Sequence, residues 1–195
     1  MESHFFAMMS RMKYIERWAL MRNSRPENIA EHSLEVSMSS HALAVISNKR
    51  FGNYLNTEKA ALIALYHDST EIITGDMPTP IKYYNKEIKG AFKEIEAIAA
   101  NSLLEMLPED IREEYHSIFF KQEGDDYLWQ LVKAADKLSA YIKCIQEEKA
   151  GNTEFLSAKN SIIEALDDMN LAEVEVFRKE YLPSYEKSLD EINKL

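Results

Sequence analysis

The chain has 195 residues with 23 Lys and Arg against 33 Asp and Glu, a formal charge of -10, which is enough length for one domain with a substantial core and too acidic a balance for a broad phosphate-backbone or membrane-surface footprint. A nucleic-acid polymer and a membrane are therefore not expected partners, whereas a small anion held in a local basic pocket is compatible. Its one cysteine, Cys144, excludes an internal disulfide and a zinc knuckle and suggests a reducing compartment; MESHFFAMMSRMKYIERW has no apolar signal core and no later run approaches the roughly 20 apolar residues that cross a bilayer, so a cytoplasmic protein is expected.

Five Gly and five Pro punctuate the chain, and between them apolar residues recur at helical spacing with little strand-like alternation, which predicts an all-α class. Helices are expected near residues 3–15, 29–49, 57–73, 86–106, 109–119, 126–150, 154–168 and 171–193. Asn28 with Glu31 reads as a capping box, Gly52, Gly75 and Gly151 as helix ends, Pro108 as a first-turn residue and Pro183 as a break in the last helix. The acidic run EGDD at 123–126 reads as a solvated turn. No repeat, low-complexity tract or linker appears, so residues 1–195 are expected to form a single domain.

On the helix after Asn28, steps of 100° put Ile29, His32, Val36, Leu43 and Ile46 on one stripe, so His32 points inward, while His41 falls on the far side and is assigned to packing or surface. On the helix expected at 57–73, Ala60, Ala64, His67 and Glu71 share a face, with Asp68 one step round. Small residues beneath polar groups leave room for a ligand. In YLWQLVKAADKLSAYI (127–142) the stripe is Leu128, Leu131, Ala135, Leu138 and Ile142, and Asp136 lies at its edge, where a carboxylate is costly unless paired or metal-bound. Each residue alone has a plainer reading: a lone inward His as a hydrogen-bonded core residue, HDxxE as a charged helix end, and Asp136 as a partner of Lys133 or Lys137. Together, two inward histidines and two carboxylates on three helices have the composition of a divalent-metal site.

A His, a His-Asp doublet and a distant Asp, here His32, His67 with Asp68, and Asp136, resemble the HD-domain metal-dependent phosphohydrolases. RWALMRNSRPENIAEHSLEVS (17–37), YHDSTEIITGDMPTPIKYYN (66–85) and VKAADKLSAYIKCIQE (132–147) resemble the bacterial 5'-deoxynucleotidase family more closely, over nearly the whole chain. The resemblance implies a helical HD-domain bundle that removes the 5'-phosphate from deoxyribonucleoside 5'-monophosphates, with one divalent metal ion per subunit, as a cytoplasmic homodimer. It implies His32, His67, Asp68 and Asp136 as metal ligands, with His32, Asp68 and Asp136 also lining the substrate site. The all N/O donor set fits Co2+, Mn2+, Zn2+, Fe2+ or Ni2+ and does not choose among them; Co2+ or Mn2+ is the favoured expectation.

Within that frame Glu71 is the expected general base for the attacking water, or else support for a histidine. Arg17 is the expected phosphate clamp, since a guanidinium offers a fork of donors to a tetrahedral anion. Trp18 is the expected wall against the sugar, with a core anchor as its other reading. Asp76, Met77, Pro78 and Thr79 are expected to form a stiff loop over sugar and phosphate, Asp76 either protonating the leaving oxygen or holding a sugar hydroxyl. Two rivals stand beside this reading. An HD-domain hydrolase of another nucleotide is one, although a two-metal version needs more histidines than the remaining His4, His41 and His116 supply. A non-catalytic helical module with a structural metal is the other, and it leaves Glu71 and Asp76 unused.

Overall fold

The computed structural model describes residues 2–82 and 84–193. The chain opens with α1 (Phe5–Met9), which tightens into a 3-10 turn over Ser10–Tyr14, so the helix expected at 3–15 is two pieces. An antiparallel ribbon then pairs β1 (Glu16–Arg17) with β2 (Glu27–Asn28), placing Arg17 opposite Glu27. These two-residue strands are too short to carry the alternation from which a strand is read.

Helix α2 (Ile29–Phe51) starts where the Asn28 side chain accepts from the amides of Ala30 and Glu31, both at 3.0 Å, and ends at Gly52 in the left-handed conformation, φ 74°. The expected reciprocal half of a capping box is absent: Glu31 instead meets Arg25 at 3.2 Å. Asn56 caps α3 (Thr57–Tyr66). The helix expected to run to 73 stops there. Residues 67–70 form a turn before the short α4 (Glu71–Thr74), because His67 Nδ1 and Ser69 Oγ each bond a carbonyl three residues back, Ala64 and Tyr66, at 2.7 Å, and draw the backbone away from the α ladder.

After Gly75 and an irregular stretch, α5 (Thr79–Lys82) and α6 (Lys86–Glu105) follow. Next come α7 (Glu109–Phe119), with Pro108 at its N-cap rather than inside its first turn, and α8 (Asp126–Lys149). The EGDD segment is only half solvated, since Asp125 is buried, pairs with Lys59 at 2.7 Å and ties the start of α8 to α3. α9 (Leu156–Met169) and α10 (Ala172–Glu180) close the bundle. The break expected at Pro183 is present: the stretch expected over 171–193 ends its helix at Glu180 and continues as a 3-10 turn (Leu182–Glu186) and the short α11 (Leu189–Ile192).

The main core lies where α2, α3 and α8 meet. Val36, Leu43 and Ile46 face Ala60, Ile63 and Ala64 and the stripe Leu128, Leu131, Ala135, Leu138 and Ile142, all buried, and α10 adds Val174 and Phe177. A second apolar cluster of Phe5, Leu103, Leu104 and Leu107 packs with Tyr66, Tyr115 and Phe119. Among the described residues no helix is long and apolar enough to cross a membrane.

Candidate active site

The stripe that buries α2 also buries His32 completely, while His41 stays exposed. The turn after α3 presents His67 and Asp68 to the same point. One donor atom each from His32, His67 and Asp68 lies within 4.8 Å of the others. Asp136, from α8, adjoins this cluster through His32, Nε2 to Oδ1 at 3.1 Å, rather than through Lys133 or Lys137. Asp68 Oδ2 lies 3.5 Å from His32 Nε2 and 3.2 Å from His67 Nε2.

The donor chemistry fits a divalent cation. His67 Nδ1 donates to the Ala64 carbonyl at 2.7 Å, so when the ring is neutral its lone pair is on the buried Nε2, which finds no donor among the described residues and faces Asp68; when the ring is protonated the same Nε2 holds Asp68 as an anion. An orphaned imidazole nitrogen facing carboxylates is what a cation satisfies. Burial alone would raise both carboxylates, but His67 and His32 outweigh it: Asp68 is held far below the usual carboxylate range and Asp136 falls to about 2. Both are therefore anionic and ready to ligate at neutral pH.

Around the cluster sit three further ionisable groups. Glu71, 7% exposed, opens α4 with Oε2 unpaired, and burial, followed by the charges of Asp68 and Asp76, pushes it up to about 9. Burial also raises Asp76, assisted by Asp68 and opposed by Arg17 and by a hydrogen bond from the Trp18 backbone. Arg17, half-buried, keeps its charge despite that desolvation because Glu27, Asp136, Asp68 and Asp76 surround it. Its Nη1 donates to Glu27 Oε2 at 2.9 Å and meets His32 Nδ1 at 2.7 Å.

Trp18 holds a left-handed backbone, φ 58°, uncommon for a bulky side chain. Its indole N–H donates to Glu27 Oε2 at 3.0 Å and its ring lies 5.3 Å from Phe155. These contacts on one edge of the half-buried indole agree with the anchor given as the other reading of Trp18. Of the expected Asp76–Thr79 loop, Asp76 shares the field of Arg17, Asp68 and Glu71. Met77 and Pro78 are half-buried, and Thr79 is exposed and already helical, its turn accepted by the Pro78 carbonyl from Ile81 and Lys82. No side-chain hydrogen bond among the described residues ties Thr79 to the donors.

Two features escape a reading by spacing. Glu27 is buried and binds both Arg17 and Trp18, yet only the ribbon pairing reveals the match of opposite charges across it. Glu147, 2% exposed, accepts from Asn152 Nδ2 at 2.7 Å, the Ser24 amide at 2.8 Å and the neighbouring Lys143. Lys143 in turn donates to the Arg25 carbonyl at 2.5 Å. The loop between β1 and β2 is thereby stapled to the end of α8.

A helical bundle with one short ribbon that brings together a His and a His-Asp doublet, with a distant Asp adjoining them, has the architecture of the HD-domain phosphohydrolases. A solved HD-domain phosphohydrolase from Listeria innocua superposes with a TM-score of 0.80 at 22% identity, covering 93% of this chain and 88% of that one. A cyanophage S-2L HD phosphohydrolase bound to dA and one catalytic Zn2+ ion superposes with a TM-score of 0.64 at 20% identity, covering 91% and 96%. At the level of sequence, residues 4–185 match the profile of the YfbR-like 5'-deoxynucleotidases, and a 5'-deoxynucleotidase of Vibrio parahaemolyticus is 50% identical over 192 residues, 98% of this chain and 99% of that protein. The chain belongs to the YfbR-like 5'-deoxynucleotidase family.

Proposed function

We propose that this protein is a metal-dependent 5'-deoxynucleotidase, a single HD domain over 1–195 that hydrolyses 2'-deoxyribonucleoside 5'-monophosphates to the deoxyribonucleoside and inorganic phosphate. The observation that carries the reading is the convergence of His32, His67, Asp68 and Asp136 beside the unpaired Glu71 and the half-buried Arg17, in a chain of this family.

His32, His67, Asp68 and Asp136 would hold one divalent ion per chain, with Co2+ or Mn2+ favoured and Zn2+, Fe2+ and Ni2+ compatible with the same donors. When bound, such an ion neutralises phosphate charge and acidifies water. Arg17, already charged and fixed by Glu27, orients the phosphate with its remaining donors. Glu71, raised by burial and by Asp68 and Asp76, is the group placed to accept the proton of the attacking water in its carboxylate form, a form that a cation held by the neighbouring donors would favour. As the oxygen of that water bonds phosphorus, the bond to the sugar 5'-oxygen breaks. Asp76, raised by burial, is suited to hand that oxygen a proton. Trp18 supplies a rigid wall beside the sugar, and Met77, Pro78 and Thr79 complete the rim over it. A homodimer in the cytoplasm completes the reading.

The test is a phosphate-release screen of paired ribo- and deoxyribonucleoside 5'-monophosphates against several divalent ions. The reading requires deoxyribonucleotides to be turned over far better than their ribose partners. Equal rates for both sugars, or turnover confined to triphosphates, would overturn it.

A further inference from the structure

On the side of His32 turned away from the carboxylates, Nδ1 lies 3.1 Å from Ser139 Oγ, and Ser139 Oγ donates to Glu35 Oε2 at 3.2 Å. His32 and Ser139 are both fully buried. Glu35 lies one turn along α2 from His32 and is half-buried, in the wall of a groove of about 630 Å³ formed with Ile142, Phe177, Tyr181 and Tyr185. No part of the proposed chemistry uses it.

One hydroxyl has one proton. With that proton given to the Glu35 carboxylate, Ser139 offers only a lone pair to His32, so Nδ1 must carry the hydrogen and Nε2 is left as a lone pair facing Asp68 and Asp136. Nε2 is the atom the metal cluster requires. Arg17 pulls the other way: a guanidinium only donates, so its 2.7 Å approach to Nδ1 needs a lone pair there and moves the imidazole proton to Nε2, toward Asp136 at 3.1 Å. A ring in that form has no lone pair left at Nε2 for a cation. His32 thus stands between two partners that demand opposite tautomers, and only one of them makes it a ligand.

We propose that Glu35, acting through Ser139, is a positioning residue that holds His32 in its metal-binding tautomer against the competing contact of Arg17. The inference rests on the metal-site reading above but not on the identity of the substrate, and it assigns a function to a carboxylate outside the donor cluster.

The experiment measures Co2+ affinity by chelator competition, together with the visible absorption of the bound Co2+, in the full-length protein and in Glu35→Leu, Glu35→Gln and Ser139→Ala. Glu35→Leu removes the acceptor while suiting an apolar groove. Glu35→Gln keeps an acceptor oxygen, and Ser139→Ala breaks the chain without touching the groove, which keeps the test decisive should Glu35→Leu fail to fold. The expected result is a loss of roughly 10–100-fold in affinity for Glu35→Leu and Ser139→Ala, with an altered Co2+ spectrum, and a loss below roughly tenfold for Glu35→Gln. The unfolding midpoint of the metal-free protein should be the same in Glu35→Leu and Glu35→Gln, which a merely structural role would not give. Wild-type affinity and spectrum in both Glu35→Leu and Ser139→Ala would overturn the proposal, as would a Glu35→Gln protein as weak as Glu35→Leu. A wild-type protein that binds no divalent ion would instead defeat the metal-site reading on which it stands.

Discussion

Glu71 and Asp68 are two carboxylates three residues apart with opposite protonation. Asp68 is surrounded by His67, His32 and Arg17 and is held anionic, whereas burial, then the charges of Asp68 and Asp76, push Glu71 up to about 9. Environment therefore separates the two: Asp68 is suited to ligate, and Glu71 can take up a proton, as proposed above, only once it is in its carboxylate form. Glu71→Gln is expected to keep the ion and the fold and to lose roughly two to four orders of magnitude in kcat; metal analysis of the purified variant checks this, since an ion-free product moves Glu71 into coordination. Trp18 carries the sugar preference in this account. Trp18→Ala is expected to narrow the gap in kcat/KM between matched deoxyribo- and ribonucleotides, whereas Arg17→Ala lowers both alike; an unchanged preference in Trp18→Ala shifts the discrimination to Asp76–Thr79. The inward set on α2 and the place of Asp136 were legible because helical spacing sorts faces without knowledge of the partner. The partners of Arg17 were not, because Glu27 stands ten residues away in sequence and becomes a neighbour only through the ribbon.

Between β1 and β2 the loop that follows Arg17 and Trp18 has no regular structure of its own and depends on the end of α8. Burial alone would push Glu147 up, but Lys143, Asn152 and Ser24 outweigh it and hold it at about 2. A carboxylate depressed on folding contributes stability above its ordinary value of 4.5, and that contribution fades as pH falls toward 2. Glu147→Gln leaves Lys143 without its anionic partner, at a cost of about 3 kcal/mol for a broken buried pair. The midpoint should fall by roughly 6–12 °C at pH 7, given about 2–4 °C per kcal/mol in a chain of this size. Thermal melts of wild type and variant from pH 7 down to 2.5 should show the gap closing with acidification; a gap that persists unchanged argues against Glu147 as its source. The same scale shows where spacing misleads. The helix expected at 57–73 breaks at His67 because His67 and Ser69 side chains compete for the helix carbonyls, so Glu71 reaches the site from a new helix start rather than as the residue one turn after His67. Periodicity scores faces and is blind to such local competition.

For the molecule as a whole, the proposed ligands come from α2, the turn after α3 and α8, the elements that also meet in the main core. An ion held there ties together segments 104 residues apart, so binding and folding are linked. Saturating metal at about 100 times Kd is worth about 2.7 kcal/mol, and exhaustive chelation should lower the melting midpoint by roughly 5–11 °C; an unmoved midpoint speaks against a bridging ion. All-α class, a buried His32 and the break near Pro183 followed from composition and spacing, whereas the break after Tyr66 turns on local side-chain competition that periodicity does not score. The central claim is that one ion in this cluster drives removal of the 5'-phosphate from deoxyribonucleotides. Its most direct test titrates metal-free protein with Co2+ or Mn2+ while phosphate release from a deoxyribonucleoside 5'-monophosphate is followed. No turnover is expected without the ion, and the rate should rise linearly to a plateau at one ion per chain; full turnover by protein shown to be metal-free would contradict a metal-dependent reaction.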